Sequence, residues 1–349
     1  SVIREKYGHH VKILDTALLN WKNRKELADG RTSEIGASKE EIATEIENYS
    51  PDVVGSSVLF SNLFDSALNI ADIVKEINPK TPVVLGGNHV SNSLGDYIYA
   101  RNNPDSNMPV RFRCMEDPNI DYAMNGECDF DGPELFDALI NGRDVSKIPG
   151  LIMRKNGKIK SSKSHVMNKA GEDLDYIIND KSPAVDITKL PYPARDLVGM
   201  EKYIEVGAFH NPKSKSDRVV NVMASRGCPE KCTFCTTPQM WGAKVRWRNI
   251  DHIIEEINRA KTDYNAEEIQ WEDDTITANK SKLMELCAKL EKLNMYWCTP
   301  NGTKVNYHQA KGFQVGGKQL EMYKRMAGSG CYQISLACET GNQRTMDEL

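Results

Sequence analysis

Three closely spaced cysteines are the residues of this chain whose type and spacing are best suited to chemistry. Cys228, Cys232 and Cys235 fall within eight residues, in a loop that directly follows a predicted strand. Thiolates are soft ligands that suit iron–sulfur clusters and zinc. Because three thiolates leave one iron of a 4Fe–4S cluster without a protein ligand, the spacing favours a cluster that can bind a further molecule at its open iron.

Structural zinc is the alternative that the spacing leaves open. A closed zinc site takes four ligands, usually with a second paired motif nearby. After Cys235 the next cysteine or histidine is His252, which lies inside a predicted helix. Zinc would therefore need a remote fourth ligand, and the iron–sulfur interpretation is favoured.

The spacing Cys-x-x-x-Cys-x-x-Cys, with Phe234 before the last cysteine, resembles the signature of the radical S-adenosylmethionine superfamily. Segments on both sides of it resemble the cobalamin-dependent branch of that superfamily, and the first domain resembles its cobalamin-binding module. The resemblance covers nearly the whole chain. The segments that carry it are residues 190–196, 238–242, 246–248, 253–257, 268–274, 301–303 and 339–341.

The resemblance implies a role for the residues around the cysteines. Cys228, Cys232 and Cys235 would hold the cluster, and its open iron would take the amino and carboxylate groups of S-adenosylmethionine. Phe234 would lie near the adenine. The other implied contacts to S-adenosylmethionine are made by Met240, Trp241, Gly242, Asp274, Asn301 and Glu339. Many relatives have a Gly-Gly-Glu run at the first three of these positions, so the chain departs from the family there.

The charged residues of this region also have ordinary structural interpretations. Paired acids at a strand end, such as Asp273 and Asp274, often cap the helix that follows. Glu339 favours a helix N-terminus through the helix dipole. Arg246 and Arg248 are, on this interpretation, solvated surface residues.

Cobalamin is expected in the first domain. Many cobalamin proteins carry an Asp-x-His-x-x-Gly motif whose histidine binds cobalt, and this chain lacks it, as does the branch that it resembles. The resemblance implies that Leu59 or Phe60 gives the lower cobalt face an apolar cover. The alternative is a sheet domain that binds another ligand or none, because a fold alone does not define function. The residues expected at cobalamin are Gly55, Ser56, Ser57, Leu59, Phe60, Gly86, Gly87, Asn88, His89, Gly126 and Glu127.

The order of predicted elements in the first domain indicates an α/β fold. Helical apolar spacing alternates with short strand patterns, which predicts a doubly wound parallel sheet of Rossmann-like type. The small-residue loops at 55–57 and 86–89 fall at the carboxyl ends of strands, where such sheets bind ligands. The predicted helices are 39–49 and 69–77, and the predicted strands are 11–14, 53–58 and 82–85.

A second alternating region starts at Arg218 and predicts part of a (β/α) barrel of the TIM type. It stops after about four strand–helix units, so the barrel is expected to be incomplete in this chain, which we interpret as a fragment or as lacking regions. The predicted strands are 219–223, 268–271, 295–298 and 332–336, and the predicted helices are 250–262, 281–293 and 319–327.

These patterns predict a division of the chain into three parts. Residues 1–145 form the cobalamin-binding domain, residues 146–217 a linker region, and residues 218–349 the radical S-adenosylmethionine partial barrel. The linker region contains one predicted hairpin, which pairs residues 150–154 with 158–160. Its turn is Asn156-Gly157, a strong hairpin dipeptide.

Charge and composition exclude some classes of binding partner and favour one location. The formal net charge of −4 gives no basic excess that would recruit nucleic acid. No apolar run approaches the roughly 20 residues that span a bilayer, so a membrane span is not expected. The nine cysteines are an odd number and three of them cluster, which favours a reducing compartment over a secreted disulfide scaffold. The expected location is the cytoplasm.

The function that the resemblance implies is a cobalamin-dependent radical S-adenosylmethionine methyltransferase that acts on an unactivated carbon of a small molecule. Its cofactors would be a 4Fe–4S cluster, S-adenosylmethionine and cobalamin, with an external electron donor such as flavodoxin or ferredoxin. No catalytic side chain is assigned from the sequence. The alternatives are a cyclase or rearrangement enzyme with the same cofactors, and a non-catalytic iron–sulfur protein for electron transfer or sensing.

Overall fold

A computed structural model describes residues 1–26, 33–155, 176–207, 209–303 and 318–348 of the chain. The chain divides into two compact units, Ser1–Val185 and Asp186–Leu349. The three-part division expected from the sequence stays a prediction. In the described ranges, no helix is both long and apolar enough to cross a membrane.

The first unit contains a five-stranded sheet with strand order β3-β4-β5-β6-β7. Strands β3, β4 and β5 are parallel, whereas β6 and β7 join them antiparallel. The elements are α1 (Val2–Tyr7), α2 (Thr16–Leu19), β1 (Arg24–Glu26), β2 (Ser33–Ile35), α3 (Lys39–Tyr49), β3 (Val54–Ser57), α4 (Phe64–Ile77), β4 (Val83–Gly86), α5 (Asn88–Asn102), β5 (Tyr122–Met124), α6 (Asp131–Ile140), β6 (Leu151–Arg154) and β7 (Tyr176–Ile178).

Local sequence explains the helices of this unit. Helix α3 begins at a capping box, in which the Ser38 side chain accepts from the Glu41 amide and the Glu41 carboxylate accepts from the Ser38 amide. Its Ile42 and Ile46 are buried four residues apart on one face. The predicted helix 39–49 is confirmed, and helix 69–77 is confirmed with an earlier start at Phe64.

The sheet of the first unit is covered on both faces. Successive residues of a strand point to opposite sides, so Val83 and Leu85 join the larger core, which includes side chains of α3, α4 and α5. Val84 joins a smaller core with Leu135 of α6. The predicted α/β class with a Rossmann-like sheet is confirmed, and the sheet is mixed because β6 and β7 are antiparallel.

Two local predictions in this unit were wrong or fall outside the structure. Residues 11–14 form no strand. Leu14 packs against the larger core and Lys12 pairs with Glu45, whereas Ile13 is 47% exposed. The predicted hairpin partner, residues 158–160, lies outside the described residues. In the described part, β6 pairs with β5 along one edge and with β7 along the other, so Ile152 and Met153 have both edges occupied.

The second unit contains a four-stranded, all-parallel sheet with order β8-β11-β12-β13, and a short antiparallel ribbon of β9 and β10. All four strands and three helices predicted here are confirmed, with ends shifted by a few residues. The elements are α7 (Met200–Val206), β8 (Val219–Val222), β9 (Ser225–Arg226), α8 (Thr237–Trp241), β10 (Arg246–Trp247), α9 (Ile250–Tyr264), β11 (Glu268–Trp271), α10 (Lys280–Leu290), β12 (Tyr296–Thr303), α11 (Lys318–Gly328), β13 (Cys331–Leu336) and α12 (Gln343–Glu348).

Helices α9, α10 and α11 all pack on the same face of this second sheet. Ile253 of α9, Leu283 of α10 and Met322 of α11 all join one apolar core, together with Ile269 and Trp271 of β11. Consecutive parallel strands whose connecting helices lie on the same side are the arrangement of a (β/α) barrel wall. We call the helix-covered side the outer face and the opposite side, which carries Glu268 and Gln270, the inner face. The predicted partial barrel is confirmed.

A buried ion-pair cluster fastens the segment before β8 to α9. Glu256, almost fully buried, accepts from Arg195 at 2.6 Å and from Arg248. Arg195 also donates to the Asn221 carbonyl and Arg248 to the Met223 carbonyl, so both cations hold the backbone at the end of β8. Arg248 is 9% exposed, which corrects its interpretation as a solvated surface residue.

Candidate cluster and cofactor sites

The three cysteines lie together in one loop of the second unit. The loop begins after β9 and ends at α8, so it follows the carboxyl end of β8, where barrel enzymes place their chemistry. Cys228, Cys232 and Cys235 are partly exposed and none forms a disulfide. The Cys235 amide donates to the Cys232 carbonyl at 3.1 Å, a tight turn between the last two thiols. We call residues 227–236 the cluster loop.

Backbone contacts close the base of the cluster loop. On its two sides, Ser225 pairs with Trp247 and Arg226 pairs with Arg246 in the β9–β10 ribbon. Gly227 has φ 99°, and a Cβ there would lie 2.6 Å from the Lys244 carbonyl oxygen. Only glycine combines this conformation with such a close approach, so Gly227 lets the two ends of the loop meet.

Asp273 fixes the backbone that leads into the cluster loop. This fully buried residue accepts from the Ala224 amide at 2.9 Å, from the Ser225 amide at 2.5 Å and from the Ser225 hydroxyl. Burial raises the pKa of Asp273 to about 7, against the lowering effect of these hydrogen bonds. The carboxyl group therefore ties the end of β11 to the backbone that enters the loop.

Asp274 holds the next part of the same loop. Its Oδ2 accepts from the Gly227 amide at 3.3 Å, and its Oδ1 accepts from the Thr237 hydroxyl at 3.2 Å. The two acids thus bind the start and the end of the cluster loop, and the interpretation that they cap the following helix was wrong. Binding of S-adenosylmethionine by Asp274 stays a prediction, and in this structure the side chain already supports the loop.

The buried acid gives the stability of the protein a specific pH dependence. An unfolded aspartate has a pKa of about 3.9, so between about pH 4 and 7 the folded protein keeps a proton that the unfolded chain releases. The free energy of unfolding should therefore fall as pH rises through this window, by on the order of 1 kcal/mol per pH unit. Urea unfolding of the parent and of Asp273→Asn at pH 5, 6 and 7 measures the difference. Equal pH slopes for the two proteins would contradict the raised pKa.

Helix α8 is held in place by the arginines of the β9–β10 ribbon. The Arg226 guanidinium lies over the Trp241 ring, 4.6 Å from its centroid, and Arg246 Nη2 donates to the Trp241 carbonyl at 2.8 Å. Arg246 therefore has a defined structural contact, which its interpretation as mere surface charge missed. Met240, Trp241 and Gly242 lie at the end of this helix; their contact with the methionine amino group stays a prediction.

The remaining predicted contacts to S-adenosylmethionine lie at strand ends or in the loop. Phe234 is largely exposed in the cluster loop. Asn301 lies in β12 and donates to the Asp273 carbonyl at 3.3 Å. Glu339 is exposed after β13 and has φ 47°, a conformation that non-glycine residues rarely adopt. Strain of this kind concentrates at functional sites, which supports a role for Glu339 while its assignment stays a prediction.

The donor set fits an iron–sulfur cluster better than a single metal ion. Within the described ranges, no three His, Cys, Asp or Glu side chains converge as ligands of one ion, whereas structural zinc requires four convergent ligands. Three thiolates on a 4Fe–4S cluster bind three different irons and therefore stand farther apart. Cys228, Cys232 and Cys235 lie in one loop, are partly exposed and form no disulfide, so all three thiols are compatible with such a cluster.

The residues predicted at cobalamin gather along one edge of the first unit's sheet. Ser57, the last residue of β3, pairs with Gly86, the last residue of β4, and Gly126 follows β5. One correction applies: Gly55, Ser56 and Ser57 are paired strand residues, not a loop. Gly55 lies inside β3, where a Cβ would lie 2.6 Å from Phe136 Cζ. Its role is therefore packing against α6, and a contact with cobalamin stays a prediction.

The same edge has the space and the polar atoms that a large cofactor needs. A Cβ built on Gly86 meets no atom within 4 Å. Leu59 and Phe60 are 50% and 62% exposed, which fits an apolar cover for a ligand face. Asn88 Oδ1 and His89 Nε2 are buried polar atoms without a hydrogen-bond partner among the described residues. The residues present therefore fit cobalamin.

His89 and the Gly126 loop complete this edge. His89 Nδ1 contacts the Ser61 hydroxyl at 2.9 Å, and burial lowers its pKa. The Gly126 amide donates to the Ser91 hydroxyl at 3.2 Å. Contact of Gly126 and of the next residue, Glu127, with cobalamin stays a prediction. Cys128 has φ 56°, in the region that favours glycine.

Comparison with known protein families finds a match in each of the two units. The B12 binding domain family matches residues 2–101, and the Radical SAM superfamily matches residues 222–349, which contain the cluster loop. The chain thus contains a B12 binding domain and a Radical SAM domain. These two domains agree with the cofactors expected from the sequence, which are cobalamin, a 4Fe–4S cluster and S-adenosylmethionine.

The curated relatives include methyltransferases and cyclases. The chain is 29% identical, over its whole length, to cytidylyl-2-hydroxyethylphosphonate methyltransferase of Streptomyces wedmorensis, and covers 61% of that relative. It is 25% identical to the anaerobic magnesium-protoporphyrin IX monomethyl ester cyclase of Rubrivivax gelatinosus, with 91% of this chain and 49% of the relative aligned. The chain thus spans about half to three-fifths of the length of these relatives.

A solved structure shows the same fold. The cobalamin-dependent S-adenosylmethionine radical enzyme OxsB, with aqua-cobalamin and S-adenosylmethionine bound, superposes with a TM-score of 0.62 at 15% identity. The superposition covers 96% of this chain and 42% of OxsB. At this identity the likeness establishes the fold of the chain and nothing about its substrate.

Proposed function

We propose that the protein is a cobalamin-dependent radical S-adenosylmethionine methyltransferase that methylates an unactivated carbon of a small molecule. The observation that carries the proposal is the cluster loop. It holds three cysteines that form no disulfide, and Asp273 and Asp274 brace it at the carboxyl end of a parallel barrel wall. The full-length likeness to a named methyltransferase supports methyl transfer as the outcome.

The chain's own residues supply binding and positioning for this reaction. Cys228, Cys232 and Cys235 would hold the cluster, and Asp273 and Asp274 fix the loop on which they lie. With both cofactors bound, the cluster and cobalamin supply reductive cleavage of S-adenosylmethionine and the methyl group, respectively. The electron would come from an external donor such as flavodoxin or ferredoxin. All nine cysteines are free thiols, which suits the cytoplasm as a reducing compartment.

The cobalamin edge offers a direct test that does not depend on turnover. Gly86→Leu should leave the fold intact, because nothing lies within 4 Å of the new Cβ, yet the side chain would occupy the space over β4. Cobalamin affinity should fall by roughly tenfold or more. Gly95→Leu is the matched control, since a Cβ on this exposed glycine of α5 also meets nothing within 4 Å. Titrations followed by cobalamin absorbance compare the two, and equal affinities would argue against this edge as the site.

The type of reaction can be read from product mass. The protein, reconstituted with cluster and cobalamin, is incubated without oxygen with dithionite, methyl-deuterated S-adenosylmethionine and cytidylyl-2-hydroxyethylphosphonate. Methyl transfer predicts a product that carries one deuterated methyl group. A product without added methyl mass would favour the second candidate, a cyclase or rearrangement enzyme, which the likeness to cyclases supports. Loss of S-adenosylmethionine without any product from the probe would reject this compound as the substrate.

A further inference from the structure

The three consecutive acids after β11 have contacts on two different sides of the strand. Asp273 and Asp274 turn to the cluster loop. Glu272 instead lies on the inner face of the barrel wall, where it contacts His210 Nδ1 at 3.1 Å and accepts from the Asn221 side-chain amide. Neither the sequence motifs nor the proposed function assigns a role to these three inner-face residues.

The segment that carries His210 crosses the inner face along β11. The Asn211 amide donates to Gln270 Oε1 at 2.8 Å, and the Lys215 amide donates to Glu268 Oε2 at 2.6 Å. We call residues 210–216 the inner segment. Because its contacts run from Glu272 through Gln270 to Glu268, it proceeds from the carboxyl end of β11 towards the amino end.

The inner segment covers the inner face towards the amino ends of the strands. His210 is its residue nearest the carboxyl ends. Glu268, Gln270 and Asn211 are buried beneath or within it. His210, by contrast, has a side chain that is 42% exposed, and that of Glu272 is 27% exposed. His210 therefore lies beyond the covered part, at the carboxyl ends of the strands, which is the end where barrels bind substrate.

The contact with Glu272 defines which ring nitrogen of His210 can face a ligand. An ionised carboxylate can only accept hydrogen bonds, so His210 Nδ1 carries the proton and donates it to Glu272. Nε2 has no hydrogen-bond partner among the described residues and, in the neutral imidazole, is an acceptor. The negative charge of Glu272 opposes an anionic group at this position. The chemistry thus suits a hydroxyl group, which donates to Nε2.

We propose that His210, oriented by Glu272 and Asn221, forms the floor of the substrate pocket and binds a substrate hydroxyl through Nε2. This inference rests on the proposed function, since it assigns a residue to the substrate of that reaction. His210 is the binding residue, while Glu272 and Asn221 are positioning residues that act through it. The arrangement is that of an oriented imidazole, in which a third group holds the ring so that the other nitrogen is available.

Two substitutions separate a substrate contact from a structural one. The amide nitrogen of asparagine overlays Nδ1, so His210→Asn keeps the bond to Glu272 and removes the group at Nε2. Glutamine reaches the position of Nε2, so His210→Gln keeps a polar group towards the substrate. A purely structural role predicts that asparagine is the better replacement, whereas the proposal predicts the reverse.

The measurement is the number of methyl groups transferred per deoxyadenosine formed, with the reconstituted protein and cytidylyl-2-hydroxyethylphosphonate as probe. We expect roughly tenfold fewer methyl groups per deoxyadenosine in His210→Asn, a smaller loss in His210→Gln, and unchanged deoxyadenosine formation without the probe. An unchanged number of methyl groups per deoxyadenosine in both variants would overturn the inference, and so would loss of deoxyadenosine formation in both. If the unaltered protein forms deoxyadenosine but does not methylate the probe, this compound is not its substrate, and the tautomer of His210 decides the inference.

The tautomer of His210 tests the same arrangement without any substrate. Nitrogen-15 NMR of the protein should show the proton on Nδ1 in the unaltered chain. In Glu272→Gln the carboxylate acceptor is lost, so we expect a mixture of the two tautomers. A proton on Nε2 in the unaltered protein would contradict the proposed hydroxyl acceptor.

Discussion

Replacing Cys232 by alanine is expected to remove most of the iron from the protein and to abolish the electron paramagnetic resonance signal of the reduced cluster. Cys232 is the middle thiol of the cluster loop, and two thiolates cannot hold a 4Fe–4S cluster that three hold. Loss of an outer-shell partner already weakens metal binding by roughly 10–100-fold, and loss of a ligand should cost more. Iron analysis and spectroscopy after anaerobic reconstitution measure the effect.

The control for this prediction is Cys338→Ala. Cys338 is a free, exposed thiol outside the cluster loop in the same unit, so its replacement should leave the iron content and the signal unchanged. If Cys338→Ala loses as much iron as Cys232→Ala, the assignment of the cluster to the loop is wrong. Retention of a full cluster in Cys232→Ala would contradict it directly.

The second large effect is expected from the buried ion-pair cluster. Glu256→Ala leaves Arg195 and Arg248 without their shared carboxylate in a nearly buried position. Removal of one partner from a buried ion pair typically costs about 3–5 kcal/mol, so the free energy of unfolding should fall by that order. Urea unfolding followed by circular dichroism provides the measurement.

The neighbouring residue Glu255 supplies a matched control on the same helix. Its carboxylate pairs with Arg259, and both side chains are more than half exposed. Exposed pairs of this kind contribute about 0.2–1 kcal/mol, so Glu255→Ala should have little effect. A small change in both variants would show that Glu256 does not fasten the segment before β8.

Helices and the barrel wall follow from the sequence because their signals are local and repeated. Helix α3 has a capping box and a clear apolar face, and strand β11 was predicted with the same ends that it has in the structure. The stretch 11–14 looked like a strand by composition alone. It pairs with no strand among the described residues, and pairing is a long-range property that a short apolar run cannot reveal.

The cysteines of the site are predictable from the sequence, whereas the residues that support them are not. Asp273 and Asp274 were recognised as a pair at a strand end, but their partners, such as Ser225 and Gly227, are about 47 residues away in the chain. Arg248 is a second example, since the sequence alone does not indicate that this arginine will be buried in an ion pair with Glu256. His210 was missed because the signal that identifies it is its contact with Glu272 across the barrel wall.

The central claim is that the cluster loop holds a cluster that cleaves S-adenosylmethionine, and deoxyadenosine is its most direct reporter. The protein is reconstituted without oxygen, reduced with dithionite, supplied with S-adenosylmethionine and assayed for 5′-deoxyadenosine. The account predicts deoxyadenosine from the reconstituted protein and none after Cys232→Ala. A protein with a full cluster by iron analysis that forms no deoxyadenosine would contradict the account and favour an electron-transfer or sensing role.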